Sequence, residues 1–188
     1  MFVLNVTLNG TVCSQGLFTG TNNIAVGEFP MSMTVGDFNN DGNQDFITAN
    51  YESNNVSVGL GNGLGGFSTP SNVPVGPNPY CVVIGDFNND GKQDFATANA
   101  GGTFTNNVSI RFGNGAGGFN ETANLYIGST PQSLAVGDFN GDGKQDIAVA
   151  ATGQNVGSQV YIRLGDGTGN FNGSINISVG GGVYNVIV

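Results

Sequence analysis

The chain reads as an all-β protein built from four-stranded antiparallel blades, a β-propeller. Three observations predict this: an Asp-rich nonapeptide that recurs about every fifty residues, a Gly-rich turn ending in Phe that recurs with it, and a lack of sustained helical periodicity. Glycine supplies 33 of the 188 residues and Asn is abundant, while stretches rich in Ala, Glu, Lys and Leu are missing. Such a composition favours short strands joined by tight turns. A chain of this length can bury a sizeable core, since a domain of about 150 residues hides roughly 68–70% of its unfolded surface.

The nonapeptides are DFNNDGNQD at 37–45, DFNNDGKQD at 86–94 and DFNGDGKQD at 138–146, starting 49 and 52 residues apart. The Gly-rich turn recurs at 60–67, 112–119 and 164–171, with a degenerate copy at 8–18, so there are four copies of the turn against three of the loop. Alternation and turn chemistry place the first strand of each blade at 32–37, 80–86 and 133–138, and the second at 45–51, 94–100 and 146–151. Third strands fall at 55–60, 107–112 and 159–164. Fourth strands open at Phe67, Phe119 and Phe171, the last running over 171–179.

This parsing gives complete blades at 31–79, 80–130 and 131–180, and a partial blade at each end. Residues 1–30 supply only third and fourth strands, within 2–27. Residues 181–188 supply the first strand of a next blade. Three blades and two fragments do not close a ring, because propellers have about four to eight blades. The expectation is completion by chain outside this sequence or by neighbouring copies, as a ring or a fibre.

Each nonapeptide presents side-chain oxygens at positions 1, 3, 5 and 9. These are Asp37, Asn39, Asp41 and Asp45; Asp86, Asn88, Asp90 and Asp94; and Asp138, Asn140, Asp142 and Asp146. Position 6 is always Gly (Gly42, Gly91, Gly143), which permits a left-handed turn. Position 7, which is Asn43, Lys92 or Lys144, would offer its backbone carbonyl. A hard cation taking about six to eight oxygens, Ca²⁺, suits this set, so the expected cofactor is three Ca²⁺ per chain. Plain Asx turns would need only one or two such residues, and three carboxylates held together without a cation repel one another. An EF-hand shares the first six positions but requires Glu at position 12, where Thr48, Thr97 and Val149 stand, and helical flanks, where strands are expected.

The string Val-Gly-Asp-Phe-Asn-x-Asp-Gly-x-x-Asp resembles the FG-GAP or VCBS-type repeat of integrin α-subunit propellers and many secreted bacterial proteins. The resemblance covers nearly the whole chain. It implies a propeller whose first strands line the central channel and whose calcium lies in the loop between first and second strands. It does not specify function, because such propellers serve as adhesins, lectins, structural modules and accessory domains.

The formal net charge is −9, with only Lys92, Arg111, Lys144 and Arg163 positive, which argues against a nucleic-acid partner. Nine of the ten aspartates lie in the three loops, and Asp166 is the exception. Cys13 and Cys81 are too few for a disulfide scaffold and read as two thiols ahead of a bridge. The apolar opening 1–8 alternates like a strand, carries no basic residue, and is neither a signal peptide nor a membrane span. Phe38, Phe87 and Phe139, beside the first ligand, read as packing between blades. Tyr51, Tyr80, Tyr126, Tyr161 and Tyr184 are less regular and could contribute to a sugar-stacking surface. Of the Asn-x-Ser/Thr triplets, those at Asn5, Asn55 and Asn107 share one third-strand position, read as exposed and polar ahead of a glycosylation site.

With no His, no base near the thiols and the carboxylates committed to cations, catalysis finds no support. The expected function is non-enzymatic: a secreted, extracellular or cell-surface Ca²⁺-binding propeller for adhesion or structural assembly. Its expected partners are other copies of itself, the remainder of a propeller, glycans or cell-surface proteins. A carbohydrate-binding propeller and an accessory domain of a larger secreted polysaccharide-active enzyme are the alternatives.

Overall fold

The computed structural model describes residues 3–4, 23–101, 106–153 and 157–188. Every regular element among them is a strand. A two-stranded pair, β1 (Val3–Leu4) with β2 (Ile24–Ala25), precedes three four-stranded sheets. The first sheet comprises β3 (Pro30–Gly36), β4 (Asp45–Asn50), β5 (Asn55–Gly59) and β6 (Ser71–Pro74). The second comprises β7 (Pro79–Gly85), β8 (Asp94–Asn99), β9 (Asn107–Gly113) and β10 (Phe119–Tyr126). The third comprises β11 (Thr130–Gly137), β12 (Asp146–Thr152), β13 (Ser158–Gly165) and β14 (Phe171–Val179). Each sheet is an antiparallel meander in chain order, and none closes on itself. This is the blade plan of a β-propeller-like fold.

The first strands β3, β7 and β11 are neighbours across sheets. Each carries a register shift just after its start, between Pro30 and Ser32, Pro79 and Cys81, and Pro131 and Ser133. Proline has no N–H for the ladder, so these strands begin with an irregularity at the same place. The second strands β4 and β8 are buried along their whole length, because both of their faces are covered by a neighbouring sheet. Two apolar clusters fill the gaps between sheets. One joins Phe38, Ile47 and Val58 to Val82 and Phe95, and the other joins Phe87, Ala96 and Ile110 to Leu134, Ile147 and Val149. The core therefore lies between blades, as expected of units that bury their faces only against neighbours.

Blades one and two share a buried polar network across their second and third strands. In the first, Asn50 Nδ2 donates to Asn55 Oδ1 (2.8 Å) and Ser57 Oγ (2.9 Å), while Thr48 Oγ1 donates to Asn50 Oδ1 (3.3 Å). In the second, Asn99 Nδ2 donates to Asn107 Oδ1 (2.7 Å) and Ser109 Oγ (2.9 Å), and Thr97 Oγ1 to Asn99 Oδ1 (3.0 Å). Asn55 and Asn107 are therefore half-buried partners of a buried amide and not the exposed positions that alternation predicts. In blade three the equivalent pairs are Ala151 opposite Gln159 and Val149 opposite Tyr161, so the polar set is exchanged together. Exchanging all partners at once is nearly neutral, whereas removing one strands the rest. Asn99→Ala is accordingly expected to cost about 1–3 kcal/mol in denaturant unfolding. Unchanged stability would show that the network contributes nothing.

Three expectations need correction. The fourth strand of blade one does not open at Phe67, which makes only an isolated bridge to Gly61. It opens at Ser71, since Pro70 cannot donate to a ladder. Residues 182–188 form no strand, because among the described residues no second strand lies beside them to pair with. They nonetheless occupy the place of a first strand: Val186 N donates to Ser133 Oγ (3.3 Å), just as Val82 N donates to Ser32 Oγ (3.3 Å). The strand boundaries also shift, with first strands starting up to three residues earlier than expected and stopping at the Gly before the loop. Of the expected leading fragment, β1 and β2 pair antiparallel. Its turn at 8–18, Asn5 and Cys13 lie outside the described residues. Cys81 is a half-buried thiol whose pKa is pushed up by burial.

Candidate metal centre

Each Asp loop joins the first strand of a sheet to the second. Position 9, the first residue of the second strand, is buried in all three copies and uses both oxygens in the same way. Asp45 Oδ2 accepts from Phe38 N (2.8 Å) and Oδ1 from Gly61 N (2.7 Å). Asp94 accepts from Phe87 N (2.9 Å) and Gly113 N (2.8 Å), and Asp146 from Phe139 N (2.9 Å) and Gly165 N (2.8 Å). One carboxylate thus ties the loop's start to the Gly-rich turn. At Gly113 a Cβ would fall on the backbone carbonyl of Gln93, so that turn can approach only as glycine.

Positions 1, 3 and 5 fold inward onto the loop's own amides. Asp37 accepts from Asp41 N (3.1 Å) and Gly42 N (2.8 Å), Asn39 Oδ1 from Asp41 N (3.2 Å), and Asp41 Oδ1 from Asn43 N (2.8 Å). The second loop repeats this through Asp86, Asn88 and Asp90, the last accepting from Lys92 N. The third repeats it through Asp138, Asn140 and Asp142, the last accepting from Lys144 N. Gly42, Gly91 and Gly143 have φ of 83°, 80° and 79°, the left-handed turn that position 6 predicts.

The loop amides hold Asp41 below its usual pKa, foremost through the Asn43 N–H, and Asp138 likewise through the Gly143 N–H. Burial pushes Asp94 up to about 6 against its bonds from Gly113 and Phe87, and the charges of Asp90 and Asp86 add to the rise. The three carboxylates of that loop therefore sense one another. Lys92 Nζ lies 2.9 Å from Asp90 and Lys144 Nζ 3.8 Å from Asp142, so the position-7 lysines soften the charge of position 5.

Among the described residues no three acidic side chains stand gathered as a preformed metal cage. Instead, each loop turns the carboxylates of positions 1 and 5 onto its own amides and that of position 9 onto the amides of the position-2 Phe and the Gly-rich turn. An ionised carboxylate has about four lone-pair sites, so even the three N–H bonds that Asp138 accepts, from Gly141, Asp142 and Gly143, leave room for a cation. The donor set of each loop is oxygen only, which suits a hard cation such as Ca²⁺. The residues present fit the ion.

Sequence reasoning missed the contacts that cross between blades. Gly117 N donates to Phe38 O (2.9 Å) and Gly169 N to Phe87 O (3.1 Å), so the turn of each following blade closes on the preceding Asp loop. Asp86 N donates to Gln145 Oε1 (2.7 Å), which makes position 8 of the third loop a partner of the second. The unvarying Gln44, Gln93 and Gln145 at that position was the available signal. The packing of Phe38 against Phe119 and of Phe87 against Phe171, with centroids 5.9 and 6.0 Å apart, bears out an inter-blade role. Phe139 departs from it: it is 38% exposed against 2% and 1% for its counterparts, because no following turn covers it among the described residues. The tyrosines divide. Tyr161 is buried against Ser129, Tyr51 and Tyr80 pack edge to face, and Tyr126 and Tyr184 are exposed.

A model described as an FG-GAP-like repeat matches residues 37–97, and the FG-GAP repeat model matches 79–118 and again 130–162. The chain belongs to the FG-GAP-type repeat family. Both FG-GAP repeat matches open on the first residue of a sheet, Pro79 of β7 and Thr130 of β11, and run through the Asp loop into the third strand or beyond. The FG-GAP repeat and the structural blade thus share their starting point, and the chain is an integrin-like repeat domain. No curated protein matches it.

Proposed function

We propose that this FG-GAP repeat chain is a non-enzymatic, calcium-binding propeller segment that works outside the cell in adhesion or structural assembly. One observation carries the reading: three loops fold alike, each with three carboxylates and an amide oxygen inside nine residues, around a left-handed glycine. In each loop the side chains at positions 1, 3, 5 and 9 and the carbonyl at position 7 would hold one Ca²⁺. That ion would supply positive charge where like charges now crowd. Repeats of this family are typical of extracellular or cell-surface proteins, which favours a secreted setting where calcium is plentiful. Partners in that setting are further propeller blades, other copies of the chain, or cell-surface proteins and glycans.

Calorimetric titration with Ca²⁺ is expected to show saturable binding at three sites per chain. No saturable heat would overturn the proposal. A carbohydrate-binding propeller is the alternative, favoured by Phe29, 44% exposed and 5.9 Å from the Tyr51 ring, which itself meets Tyr80 at 5.0 Å. Retention on a glycan array, lost in Phe29→Ala, would select it.

A further inference from the structure

We infer that calcium binding by the first two loops is set from the neighbouring blade, so that cation occupancy and blade docking are coupled there and, among the described residues, not at the third loop. The inference rests on the calcium reading above and deepens it.

The first two loops are each gripped by the blade that follows. The Gly-rich turn of that blade donates an N–H to the carbonyl at position 2, at 2.9 Å on Phe38 and 3.1 Å on Phe87. The same turn faces position 4, where Asn40 and Asn89 adopt φ of 57° and 55°. Their side-chain amides come so close to Gly115 and Gly167 that a Cβ there would stand 2.9 and 2.6 Å from Nδ2. A left-handed Asn costs more than a left-handed Gly, and here its side chain walls the neighbouring turn. The third loop has Gly141 at position 4, with nothing within 4 Å of where a Cβ would be, and an exposed Phe139 at position 2. The residue at position 4 thus follows the presence of the clamp.

Gln145 gives the coupling its direction. It belongs to the third loop by sequence, yet its Oε1 accepts the N–H of Asp86, the first ligand residue of the second loop. It is a positioning residue: it fixes the backbone that carries the Asp86 carboxylate and donates nothing to the ion. A loop already held in its bound shape loses less freedom when it takes the cation, and therefore binds more tightly. The second loop should bind more tightly than the third.

The test is a Ca²⁺ titration of ¹⁵N-labelled full chain, following the position-6 amides of Gly42, Gly91 and Gly143 as separate reporters of the three loops. In the native chain Gly143 is expected to saturate at higher Ca²⁺ than Gly91. Gln145→Met keeps length and volume but removes the acceptor. It is expected to weaken the response at Gly91 about fivefold, the worth of one hydrogen bond, and to leave Gly42 unchanged and Gly143 within about twofold. Asn89→Gly, at an exposed site that tolerates the conformation, should weaken Gly91 in the same sense without threatening the fold. An unaltered Gly91 midpoint in both variants, or an equal shift at Gly91 and Gly143, would overturn the coupling while leaving calcium binding intact. If none of the three glycines responds in the native chain, the calcium reading itself falls and the coupling with it.

Discussion

Removing calcium with a chelator is expected to lower the melting temperature by roughly 8–16 °C. Extracellular modules bind Ca²⁺ with Kd of about 10⁻⁴–10⁻³ M, and at the tight end of that range 1 mM Ca²⁺ adds about 1.4 kcal/mol per site through mass action. Three such sites contribute about 4 kcal/mol, a large part of a typical stability of about 5–15 kcal/mol. For a chain of this size each kcal/mol moves the transition by about 2–4 °C. The physical source is visible in the second loop, where Asp94 is buried, accepts from the Phe87 and Gly113 amides and still feels the charges of Asp90 and Asp86. A cation among them would turn repulsion into attraction. Scanning calorimetry with and without chelator decides the matter. Superimposable curves would deny the ion a structural role.

A comparable effect is expected from one phenylalanine and not from its sequence twin. Phe87 and Phe139 hold the same place in the motif, directly after the first Asp. Phe87 is 1% exposed, sits in the cluster with Ala96 and Leu134, and packs on the Phe171 ring of the next blade. Its truncation to Ala removes a fully buried ring and opens a cavity between blades, at a cost of about 3–5 kcal/mol. Phe139 is 38% exposed and has no such ring above it among the described residues, so Phe139→Ala should cost about 1 kcal/mol or less. Chemical denaturation of the two variants measures the difference. Equal losses would mean that Phe139 is covered in solution, by another copy or by a part of the chain outside the described residues.

Much of this molecule is legible in its sequence because its information is local. The nonapeptide fixes where the chain must reverse, since the Asp and Asn at its positions 1, 3 and 5 act on backbone groups within five residues. Alternating apolar residues on either side fix the strands, and the fifty-residue period fixes that the unit repeats. The family, the all-β class, the antiparallel order within each sheet and the donor oxygens of each loop all follow from signals of that range. The β14 boundaries, 171–179, agree with the structure to the residue.

What tertiary structure alone decided involves partners more than fifty residues apart, which no local pattern encodes. It buried Phe38 and Phe87 and left Phe139 exposed, although all three stand in the same motif. It aimed Gln145 at the loop of the preceding blade. It left 182–188 lying along β11 without a ladder, although the segment reads as a strand. The physical reason is common to all of these: a blade of this kind buries its faces only against its neighbours. The same residue is therefore core where a neighbour covers it and surface where none does.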